Sequence, residues 1–214
     1  MTNTLLQCIQ KQFPLTKLPA NEFSSLKASG MKFTVECYRA EGLGHVSVMK
    51  AKGFFGLMKM DTLIVNPTAV DLPLYSYDRI FAMGNDTLIV ELYDTLVGEN
   101  DLSALDNINA EFADMPIRDP GKHWYDDIKL SQSISTKGKK AQTATFDKWA
   151  LQHFNAYLSC INRRVDDVEG KKEKASYYVE GLLEKGGPST DVFKKTLGVE
   201  QTAKLFREVL FGTK

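Results

Sequence analysis

Residues 32–50 read KFTVECYRAEGLGHVSVMK, and their period decides the fold. Phe33, Val35 and Cys37 alternate with polar neighbours, which is the two-residue repeat of a half-buried strand. Glu41-Gly42-Leu43-Gly44 then supplies residues that tolerate positive φ, as a hairpin connection demands, before His45 to Lys50 resumes the extended pattern. Phe54 to Val65, Asp78 to Met83 and Thr87 to Leu92 continue it, the last two joined at Gly84-Asn85-Asp86. Together these segments predict an antiparallel meander of about five strands.

Outside this central block the period changes to that of helices. Thr4 to Phe13 places Leu5, Leu6, Ile9 and Phe13 on one face and stops at Pro14, which cannot extend a helix. A short helix is expected near Asn21 to Lys27, and another over Leu102 to Phe112 capped by Asp101 or Ser103. Ile128 to Ser135 alternates once more as a candidate strand. The last third is helical: Thr145 to Val165, Lys174 to Leu183 and Val192 to Phe211. Strands in the middle and helices at both ends predict an α+β fold, an α/β/α sandwich with a central antiparallel sheet flanked by helices. No repeat or low-complexity segment divides the chain, so residues 1–214 are expected to form a single domain.

Composition narrows the function classes. Lys+Arg and Asp+Glu are 27 each, so the chain lacks the positive field a nucleic-acid binder needs. Cys8, Cys37 and Cys160 are too few and too far apart for a disulfide framework or a zinc signature, which fits a reducing, cytoplasmic setting. No stretch approaches 18 apolar residues, and no basic region precedes an apolar run near Met1, so neither a membrane partner nor a signal peptide is expected. P-loop, G-x-G-x-x-G, G-x-S-x-G and H-E-x-x-H patterns are absent. His45, His123 and His153 are widely spaced, and a metal site built from them is not expected.

Three stretches carry a resemblance. The first is Asn66-Pro67-Thr68-Ala69-Val70-Asp71-Leu72-Pro73-Leu74-Tyr75-Ser76-Tyr77-Asp78. The second runs from Arg118-Asp119-Pro120-Gly121-Lys122-His123-Trp124 through Tyr125-Asp126-Asp127-Ile128-Lys129-Leu130-Ser131. The third is Tyr177-Tyr178, then Val192 to Gly198, then Phe206 to Phe211. In order and spacing they resemble the ferredoxin-dependent bilin reductase and red chlorophyll catabolite reductase family, of which this chain looks like a divergent member. The resemblance implies a linear tetrapyrrole held between the sheet and the C-terminal helices. It also implies reduction by ferredoxin through radical steps, with no bound cofactor.

Adding an electron to a bilin makes a basic radical anion, so such an enzyme must contribute a positioned proton donor and a pocket that limits water. A desolvated carboxyl group meets that need. The family carries its acid on a central strand, and the resemblance puts Glu91 in that place, with Asp94 as the fallback. Alternation with Val90 and Leu92 leaves open a Glu91 that simply faces solvent. The proline expected nearby is missing, and no second acid is visible at Gly186-Gly187-Pro188, where Asp191 stands close by.

Arg118 matches the arginine that pairs with a bilin propionate, a role suited to its planar donor fork. Lys137, Lys139 and Lys140 are candidates for the other propionate or for the acidic face of ferredoxin, and Ser131 and Asp191 are further substrate-side candidates. Tyr75, Tyr77, Phe81 and Met83 are candidates to line a flat apolar pocket, the plain alternative being core. His45 and His123 are candidates to bond a pyrrole carbonyl, or else to face solvent. The reading is an oxidoreductase that reduces a bilin with ferredoxin-supplied electrons. Its alternatives are a non-catalytic tetrapyrrole carrier of the same fold and a pure interaction module.

Overall fold

The computed structural model describes residues 1–214 as five helices and eight strands. In chain order they are α1 (Thr2–Gln10), β1 (Leu15–Leu18), β2 (Ser25–Ala28), β3 (Met31–Ala40), β4 (Gly44–Gly53), β5 (Met58–Pro67), β6 (Leu74–Ala82), β7 (Asn85–Tyr93), α2 (Ser103–Glu111), β8 (Ile134–Lys139), α3 (Thr143–Ser159), α4 (Val168–Lys185) and α5 (Pro188–Lys204). A π-helical segment, Leu205–Leu210, extends α5. All strands join one antiparallel sheet in the order β1-β3-β4-β5-β6-β7-β8, with β2 pairing the other half of β3.

Several boundaries differ from the sequence reading, each for a tertiary reason. The helix expected at Asn21 to Lys27 is a single 3-10 turn, Asn21–Ser24, followed by β2, because β3 offers a free edge for Ser25–Ala28. Residues Phe54–Gly56 form a turn rather than the start of β5. The last strand lies at Ile134–Lys139, later than expected, where it pairs with β7. The terminal helix breaks at Gly198, whose φ is 79°.

Helices cover both faces of the sheet, the first three on one side and the last two on the other. On the first face α1, α2 and α3 enclose Val46, Val48, Leu63, Val65, Tyr75, Tyr77, Leu88 and Val90 with Leu5, Ile9, Phe146, Phe154 and Tyr157. On the second, α4, α5 and the π-helical segment cover Phe33, Val35, Cys37, Met49, Ala51 and Ile64. Each large apolar side chain buried this way contributes about 1.5–3 kcal/mol.

Three strand side chains latch the chain's end to the second face. His45 Nε2 lies 2.8 Å from the Val209 carbonyl, Ser47 Oγ donates to Leu210 O at 2.7 Å, and Asn66 Nδ2 donates to Phe211 O at 2.8 Å. Terminal carbonyls without a helical partner are satisfied by these donors. His45 is therefore buried against the chain's end rather than solvent-facing.

The Asp-Leu-Pro run is likewise an anchor. Asp71 is fully buried, with Lys171 Nζ 3.3 Å and Arg163 Nε 3.8 Å from its carboxylate, and Val97 N donates to it at 3.1 Å. Lys171 also donates to Leu72 O and Thr95, which ties α4 to the loop before β6.

Candidate functional site

On the second face, α5 and the π-helical segment lean on β2, β3 and β4, and this leaves a strip of β6 and β7 only half-covered. Alternation sends Ser76, Asp78 and Ile80 of β6 and Ile89 and Glu91 of β7 into that strip, all of them half-buried. Register sets Ser76 opposite Glu91 and Asp78 opposite Ile89. Asp78 and Glu91 are thus diagonal neighbours, with backbones about 7–8 Å apart.

The strip is walled by tyrosines. Tyr93 stacks on Tyr178 of α4 at 3.9 Å and meets Tyr125 edge-on at 5.6 Å. Tyr125 belongs to the segment after Arg118, which lies against α4 because Trp124 occupies a notch at Gly181. A Cβ there would come within 2.1 Å of the indole, whose Nε1 donates to Gly186 O at 3.0 Å. His123 stacks on Tyr125 at 4.9 Å, and its buried Nδ1 has no partner.

The charges at the strip are few and organised. Burial is the main force raising the Asp78 carboxyl to about 6; the nearby Glu91 charge adds to it, against a hydrogen bond donated by Thr62. Glu91 is 17% exposed, accepts the Tyr93 phenol at 2.6 Å and lies 4.0 Å from Lys129 Nζ. Lys129 itself is held 2.6 Å from Asp126. Burial pushes the phenols of Tyr93, Tyr125 and Tyr178 up, so all three stay neutral donors near pH 7.

Arg118 reaches the same region. Its Nη1 donates to Ser135 Oγ at 3.3 Å, its backbone N–H to Ser135 O at 2.9 Å, and its charge acts on the Tyr125 phenol. Lys137, exposed and two residues beyond Ser135, projects from the same sheet face. The arrangement combines a carboxyl raised by burial to about 6, phenol donors, stacking rings and cations at its rim.

Other expected residues lie elsewhere. Tyr75 and Tyr77 face the first layer, Tyr75 with its ring 4.7 Å from Tyr157 and its hydroxyl 3.3 Å from His153 Nδ1, so they are core. Phe81 shares that side, 5.4 Å from the buried Arg79. Met83 is 89% exposed at the β6–β7 turn. Asp94 follows the end of β7, 43% exposed and 3.6 Å from Lys174. Ser131 is exposed in the turn before β8, and Asp191 is exposed in the first turn of α5, beside Gly186. Lys139 donates to Asn85 at the sheet's end, and Lys140 beside it is exposed.

Sequence reasoning missed Asp78, Thr62, Tyr93, Tyr125, Tyr178 and Lys129 as site residues. The available signal was parity: Asp78 and Glu91 share one face only when β6 and β7 pair through the tight turn at Met83-Gly84, where both residues have positive φ.

No family model and no curated protein matches the chain in sequence. In structure it is similar to phytochromobilin synthase from tomato, solved in complex with biliverdin. The two share 14% identity with a TM-score of 0.78, over 99% of this chain and 82% of the other. The fold is therefore that of phytochromobilin synthase.

Proposed function

We propose that this chain binds an open-chain tetrapyrrole over the Asp78–Glu91 strip and reduces it with electrons from a ferredoxin-like carrier. The observation that carries this reading is the pair of carboxyls Asp78 and Glu91, side by side on the half-covered strip of a fold shared with a biliverdin-bound enzyme. Reduction of one double bond takes two electrons and two protons. Two one-electron carriers supply the electrons, while Asp78 protonates the radical anion and is recharged from solvent. Burial favours the protonated form of Asp78, and the neighbouring Glu91 charge adds a smaller push in the same direction.

Arg118 and Lys137 at the rim suit the propionates. Tyr93, Tyr125 and Tyr178 give flat surfaces for pyrrole rings. No helix is long and apolar enough to cross a membrane. A cytoplasmic setting fits the free cysteines.

Titration with biliverdin, followed by addition of reduced ferredoxin, tests the reading. An absorption shift on binding, and loss of the bilin band only with the reduced carrier, is the expected result. Binding without reduction gives the carrier alternative. No shift at all sinks both.

A further inference from the structure

Three turns lie at one end of the sheet: Ser29-Gly30 between β2 and β3, Phe54-Phe55-Gly56 between β4 and β5, and Met83-Gly84 between β6 and β7. The middle turn is the most apolar. Phe54 and Phe55 sit in the left-handed region at φ 50° and 55°, and the two residues are 55% and 109% exposed. Leu57 is 70% exposed, and Met83 on the next turn 89%. A non-glycine residue in that backbone region is uncommon, and two adjacent phenylalanines there are held outward with no core contact to repay the strain.

Beside this turn runs a row of lysines. Lys27 faces Lys32, Lys32 faces Lys52 and Lys52 faces Lys59, each directly opposite the next across four adjacent strands. The row is about 14 Å long at the usual strand spacing. Like charges placed directly opposite destabilise a sheet, and none of the four lysines joins an ion pair. Lysines that merely blunt a sheet edge belong on edge strands, whereas β3, β4 and β5 are interior. Lys27, Lys32, Lys52, Phe54 and Phe55 also line one groove of ≈ 430 Å³.

We propose that this end of the sheet docks on the surface of an anionic phospholipid bilayer, with Phe55, Phe54 and Leu57 entering the headgroup boundary and the lysine row meeting lipid phosphates. The fully exposed Phe55, with the partly exposed Phe54 and Leu57 beside it, suits a soft interface, and the unpaired cations suit a surface of opposite charge. The lysines project from the sheet face opposite the Asp78–Glu91 strip, which disfavours an electron carrier as their partner. Docking of this kind needs no membrane-spanning helix.

Sedimentation of the full chain with vesicles tests the proposal. Wild type should pellet with phosphatidylglycerol/phosphatidylcholine vesicles at low salt, remain soluble with phosphatidylcholine alone, and dissociate as salt rises. Phe55→Ser, which alters a fully exposed side chain, and Lys32→Glu/Lys52→Glu should each weaken partitioning by about tenfold or more, with unchanged circular dichroism. Wild type that stays in solution with both vesicles overturns the proposal, as does unchanged partitioning of both variants. Retention on an immobilised acidic iron-sulfur protein without any vesicle binding overturns it in favour of a protein partner.

Discussion

Tyr93 donates its phenol proton to Glu91 Oε2 at 2.6 Å, from two residues further along the same strand. Side chains at that spacing share a face, so β7 itself fixes both partners, and the stack on Tyr178 holds the phenol in place. Tyr93→Phe keeps the ring and removes the donor. We expect a loss of about 1–2 kcal/mol in urea unfolding with an unchanged m-value. A shift in the pH profile of biliverdin reduction should accompany it. An unchanged unfolding midpoint would mean the phenol does not engage Glu91.

Asp78 should reveal itself in stability against pH. Its carboxyl sits at about 6 when folded, against about 3.9 in an unfolded chain. Between those values the folded protein binds more protons than the unfolded one, so this group makes stability fall as pH rises from 4 to 6. Asp78→Asn should remove that slope and raise stability at pH 7.5 by up to about 3 kcal/mol. The same variant should bind biliverdin yet stall its reduction after the first electron, visible as a radical by electron paramagnetic resonance.

His153 gives the opposite sign. Burial lowers its imidazole to about 4, where Tyr75 lies 3.3 Å from Nδ1 and Gln132 O 3.0 Å from Nε2. An unfolded histidine titrates near 6.5, so the unfolded chain binds more protons between 4 and 6.5, and stability is lost as pH falls through that window. His153→Gln should flatten the acid limb of thermal stability by about 2–3 kcal/mol, although it costs packing at neutral pH. An acid limb identical to wild type would contradict this.

Lys171 and Asp71 form a buried pair, with the lysine lowered to about 8 by burial against the attraction of Asp71. Lys171→Met should cost on the order of 3 kcal/mol, because it removes the nearest cation to the buried Asp71 side chain. Adding Asp71→Asn should return part of that loss. A double variant no more stable than Lys171→Met would show that the pair is not coupled.

Much of the architecture could be read from period alone. The alternation of Phe33, Val35 and Cys37, and of Leu88, Val90 and Leu92, places each residue on a face before any contact is known. Glu91 was singled out by the family resemblance, because alternation alone allowed it to face solvent. Tyr75 and Met83 were not: Tyr75 alternates as a site residue would, but α3 covers its face, and Met83 lies in the turn itself. Asp78 was hidden because an aspartate on a strand face looks solvated until its neighbours exclude water.

The two faces of each strand, the antiparallel meander and the helical ends follow from residue order, because periodicity is a property of the local chain. That α3 covers one face while α4 and α5 cover the other and leave β6 and β7 partly open is a matter of long-range packing. Which face a helix buries depends on contacts between residues far apart in sequence. A carboxyl group keeps its proton according to how much water those contacts remove.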